Sequence, residues 1–153
     1  MLSIDWAKIF SIGTLANEVE YSIAVYKDGG IVEKEKEILL AGVEFLNSVL
    51  EFEIERKKPN GQRIKGALPK LELLKASGSI VDAWIKSEIP FPKSDDEFEK
   101  ELNTFIKALE DMALKKSVEA IGIEKINNVE RLFSTLGEMA LRKVHTSALY
   151  DRT

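Results

Sequence analysis

Along almost the whole chain, apolar residues recur at steps of three and four, and nowhere does a sustained apolar–polar alternation run between turn signals. Steps of three and four place side chains on one face of an α-helix, whereas a half-buried strand needs every second residue. This patterning leaves no segment for a sheet and predicts an all-α fold. Its clearest instance is Phe98, Leu102, Phe105, Ile106, Leu109, Met112 and Ala113.

Turn chemistry divides the pattern into a bundle of about five helices. Helix 1 is expected from about Asp5 to Tyr26, with Ile12, Leu15, Ala16, Val19, Ile23 and Tyr26 on one stripe and Trp6, Ile9 and Phe10 widening its start. Lys27-Asp28-Gly29-Gly30 stops it, because glycine takes the left-handed conformation after a helix at little cost. Helix 2, about Val32 to Lys57, follows so closely that the two form an antiparallel hairpin. Its length of roughly 39 Å suggests a projecting far end, and Glu37, Glu44 and Glu51, spaced by seven, are expected to face water. Helix 3, about Leu68 to Glu88, is apolar on two faces: Leu71, Leu74, Gly78, Val81, Ile85 and Ile89 on one, Leu73, Ile80 and Trp84 on the other. Ser77-Gly78-Ser79 is a place for a kink or a close crossing.

Ile89-Pro90-Phe91-Pro92 then breaks the chain, and Ser94-Asp95-Asp96-Glu97 has the form of a capping box opening helix 4. That helix ends at Lys115-Lys116 or at Gly122, two stop signals the pattern does not rank. Helix 5 covers about Glu124 to Leu149.

A chain of 153 residues is expected to be one helical domain, residues 1–153, with a core sufficient without staples. The absence of cysteine excludes disulfides, thiolate metal sites and cysteine nucleophiles, and fits a reducing compartment. No apolar run approaches the roughly 18–20 residues of a membrane span. The first residues, MLSIDWAKIF, lack the charge order of an export signal. We expect a cytoplasmic protein with no membrane partner.

Charge is uneven. Glu55 to Lys70 holds six bases against one acid, a local net charge of +5 in a chain of −4, so the remainder sums to −9. Pro59, Asn60-Gly61 and Gly66 make this stretch a basic loop between helices 2 and 3. Arg56, Lys57, Lys58, Arg63 and Lys65 are therefore candidate nucleic-acid-binding residues, for contacts that would be salt-sensitive and independent of sequence. The competing reading sets Arg56, Lys57 and Lys58 against a helix C-terminus, or docks them on acids of this chain or of a second copy.

Catalytic patterns are absent. The single histidine, His145, has no local nucleophile or carboxylate to work with and reads as a surface or satisfied histidine. A di-iron site needs two Glu-x-x-His motifs. An acid-only, Mg-dependent nucleotide hydrolase could draw on Glu18, Glu20, Glu33, Glu37 and Glu44, but the run Glu33-Lys34-Glu35-Lys36-Glu37 alternates in sign as a solvated face does. No phosphate loop, dinucleotide fingerprint or nucleophile elbow occurs. No catalytic residue, metal ligand or cofactor is assigned. The leading expectation is a non-enzymatic helical assembly or protein-interaction module, a homo-oligomer or a small subunit of a complex. Its partner surface is placed on Leu73, Ile80 and Trp84, since a helix apolar on two faces must be covered on both. The alternatives are nucleic-acid binding through residues 56–65 and, more weakly, the nucleotide hydrolase.

Overall fold

The computed structural model describes residues 12–57 and 70–151, and the side chains of all these except 70–71 and 141–151. Six helices run through them: α1 (Ile12–Lys27), α2 (Glu33–Arg56), α3 (Lys70–Lys86), α4 (Asp95–Ala113), α5 (Val118–Ile121) and α6 (Ile123–Asp151). There is no strand among the described residues, and the all-α bundle is the fold. The expected helix starts at Asp5 and Leu68 lie outside the described residues.

Each boundary has a local cause. Gly29, at φ +104°, ends α1 in a conformation that other residues avoid, and its N–H reaches back to the Tyr26 carbonyl at 3.1 Å. The Ser94 hydroxyl accepts the Glu97 N–H at 3.2 Å, and the Glu97 carboxylate accepts the Lys93 N–H at 3.0 Å, so both halves of a cap open α4. Both stop signals after α4 prove real. The helix ends at Ala113, Lys115 turns at φ 61°, Ser117 caps the single turn of α5, and Gly122 at φ +103° starts α6 in a new direction.

The helices pack in antiparallel pairs. Asn17 of α1 approaches Gly137 of α6, while Lys27 pairs with Glu130 at 2.6 Å, which fixes the opposite senses of the two helices. Gly42 of α2 sits against Val19 of α1 and Leu109 of α4, and Lys57 reaches Glu99 of α4 at 2.6 Å. The α1–α2 hairpin packs as expected.

Among the described residues, α2 is the most enclosed helix. Eleven of its 24 residues are buried, on several faces. Glu37 and Glu51 face water as expected, but Glu44 is half-buried, because neighbours stand on nearly every side of α2. The far end of α2 does not project, since Phe52 is buried there and Lys57 is tied to α4. Helix α3 runs without interruption through Ser77-Gly78-Ser79.

Trp84 anchors the core at the junction of α3 and α4. It is fully buried and stacks on Phe105 with ring centroids 5.0 Å apart, with Phe98 at 5.5 Å and Phe91 edge-on at 6.0 Å. Its indole N–H donates to the Pro90 carbonyl at 3.1 Å. The proline-rich break is therefore a packing segment as well as a stop.

Candidate functional site

The structure reverses the two apolar stripes of α3. Leu73, Ile80 and Trp84, expected as the partner surface, have no accessible surface and form part of the chain's own core. The physical reason is Trp84, whose bulk and N–H are both accommodated only among the phenylalanines and the Pro90 carbonyl. Those three residues are therefore not a contact face. Of the other stripe, Leu74, Gly78 and Ile85 look outward, while Ile89 is buried. Leu74 is 55% and Ile85 57% exposed, Gly78 is exposed and Val81 is half-buried.

Beside this stripe runs a groove of about 420 Å³, bounded by α3, the end of α2 and the segment from Phe91 to Asp95. Leu74, Gly78, Val81 and Phe91 make its walls apolar, and Phe91 is 42% exposed. At its edge the buried Glu53 accepts hydrogen bonds from the Ser77 hydroxyl and from Arg56, the latter at 2.8 Å. The Ser77 bond ties α3 to α2, while Arg56, on α2 itself, neutralises the buried carboxylate. Serine beside a carboxylate lacks the base and oxyanion donors that nucleophilic chemistry requires. What the groove offers is apolar contact area with a satisfied polar edge, which suits packing.

The basic candidates divide. Arg56 is paired with Glu53, and that hydrogen bond, reinforced by the charge of Glu53, raises its pKa above the usual value. Lys57 is bonded to Glu99 and lies 3.7 Å from Asp96; the Glu99 hydrogen bond is the main cause of its raised pKa. These two cations thus neutralise acids of the same chain, and a phosphate would have to compete with carboxylates. Lys58, Arg63 and Lys65 lie outside the described residues, and His145 lies among the side chains outside them.

A second hollow, of about 390 Å³, opens at the other end of the bundle around Tyr26, Gly30 and Lys116. The Tyr26 hydroxyl donates to the Lys116 carbonyl, Lys116 pairs with Asp111 at 3.1 Å, and Lys27 is held by Glu130 and Asn127. Its contacts latch the α1–α2 turn onto the α4–α5 turn. Among the described residues no three histidine, aspartate or glutamate side chains converge in a way that could hold a metal ion, and no helix is long and apolar enough to cross a membrane.

The outward stripe of α3 was legible as a stripe, but its direction was not. No family model, curated protein or solved structure matches the chain.

Proposed function

We propose that this chain is a non-enzymatic helical assembly module whose contact face is the outward stripe of α3 together with the groove beside it. One observation carries the reading: large apolar side chains at Leu74 and Ile85 stand more than half exposed on a regular helix, in line with Gly78 and Val81. Isolated exposed leucines are ordinary, but an aligned set beside an apolar groove is the form of a helix-binding surface. The absence of cysteine agrees with work in the cytoplasm.

Binding of an anionic polymer at residues 56–65 is the competing reading. The engagement of Arg56 and Lys57 by Glu53 and Glu99 weighs against it. Nucleotide hydrolysis by acids of α1 and α2 finds no support in the geometry of the described residues.

Light scattering across a range of concentrations tests the assembly reading. The wild type is expected to exceed the monomer mass of 17.2 kDa, and a Leu74→Glu/Ile85→Glu variant is expected to remain at it with unchanged helical circular dichroism. A variant that assembles like the wild type would remove α3 from the account.

A further inference from the structure

The spacing along the exposed face of α3 is more specific than an apolar patch. Leu74, Gly78, Val81 and Ile85 are separated by four, three and four residues, the alternation of a coiled-coil seam. Two such seams pack side by side when the residues flanking them are compatible. The flanking positions on the solvent side of this seam are Lys75 and Asp82, seven residues apart and of opposite sign. Both are exposed, and Lys75 makes a loose contact with Glu72 at 3.9 Å, with both side chains at least half exposed.

That arrangement is self-complementary in one orientation. If a second α3 lies antiparallel, with a two-fold axis beside Gly78 and Ser79, Lys75 of one copy comes opposite Asp82 of the other, and the symmetry makes the pair twice. The same register sets Leu74 against Ile85 and Val81 against Gly78 of the second copy. A parallel pair would set the Lys75 and Asp82 flank of one copy against the Ser77 and Trp84 flank of the other, so neither charge would meet an opposite one. Gly78 fits the same arrangement. A Cβ built there would meet nothing within 4 Å, so its own fold gives no packing reason for a residue that weakens a helix. Its bareness leaves space for the Val81 side chain of the other copy at the crossing.

We propose that the partner on this face is a second copy of the chain, docked antiparallel α3 on α3 and registered by reciprocal Lys75–Asp82 pairs. The proposal rests on the reading of α3 as the contact face and goes beyond it by naming the occupant and its orientation.

Charge reversal on the full-length chain tests it, with dimer dissociation followed by sedimentation equilibrium. Lys75→Asp or Asp82→Lys alone creates two like-charge pairs and is expected to raise the dissociation constant roughly tenfold at low salt. The combined Lys75→Asp/Asp82→Lys variant exchanges the signs and should return to within about threefold of the wild type. At high salt the differences should shrink, since exposed pairs are screened. A dimer indifferent to the single reversals, or a double variant as weak as the singles, would overturn the antiparallel pairing while leaving α3 as a contact face. A dimer that also survives Leu74→Glu/Ile85→Glu would overturn both. A wild type that is monomeric at every concentration would overturn the proposal and the self-assembly on which it rests.

Discussion

Replacing Trp84 with alanine removes the largest fully buried side chain, together with its ring contacts to Phe91, Phe98 and Phe105 and its hydrogen bond to the Pro90 carbonyl. Truncating a buried aromatic to alanine costs about 3–5 kcal/mol, through lost burial and the cavity left behind. For a domain near this size each kcal/mol moves the melting midpoint by about 2–4 °C, so the expected loss is roughly 6–20 °C. Trp84→Phe keeps a ring in the stack and loses the indole donor. The Pro90 carbonyl lies at an exposed residue and can be rehydrated, so this change should cost only about 1–2 kcal/mol. Urea titration and thermal melts followed by far-ultraviolet circular dichroism give both values, and the phenylalanine variant reports even if the alanine variant fails to fold. A loss under about 1 kcal/mol for Trp84→Ala would contradict this packing. It would mean that the Leu73–Ile80–Trp84 stripe is not core and that the faces of α3 are assigned the wrong way round.

Three further outcomes follow from the same packing. Gly42→Ala should destabilise by up to about 2 kcal/mol, since a Cβ there lies 3.1 Å from the stiff, fully buried Val19, whereas Gly78→Ala should stabilise the isolated fold by up to about 1 kcal/mol; paired urea titrations read the opposite signs. Glu88 ends α3 at φ 63°, where a side chain is strained, so Glu88→Gly should raise the thermal midpoint, by about 0.5–1 kcal/mol in stability. Burial, then the charges of Glu119 and Asp111, raise the pKa of the Tyr26 phenol. The stability linked to it is complete below about pH 10 and lost as pH rises through the raised folded value, so Tyr26→Phe should flatten the alkaline fall in a pH series of urea titrations.

Much of the bundle could be read from local signals. The Gly29 stop, the Ser94 cap and the apolar stripe of α4 each depend on residues within a few positions of one another, and the structure keeps all three. The direction of α3 could not be read in that way. Both of its stripes are apolar, and the choice between them is made by partners such as Phe98 and Phe105, which follow only after the break at Pro90–Pro92. The pairing of Lys57 with Glu99, 42 positions apart, is likewise set by the antiparallel fit of α2 on α4. The seam spacing and the opposite charges of Lys75 and Asp82 were present in the sequence throughout. Their meaning depends on that face being the outer one.

The antiparallel α3 contact is tested most directly by cross-linking, because the chain has no native cysteine. Positions 75 and 82 are two turns apart, about 10.5 Å along one helix, beyond the roughly 7 Å that a disulfide can span, so a bridge between them must join two copies. Dilute Lys75→Cys/Asp82→Cys protein, mildly oxidised, should run as a covalent dimer on a non-reducing gel, while Lys75→Cys and Asp82→Cys alone should stay monomeric. Single variants that cross-link as readily as the double variant, or a double variant that does not cross-link at all, would contradict the antiparallel α3 contact.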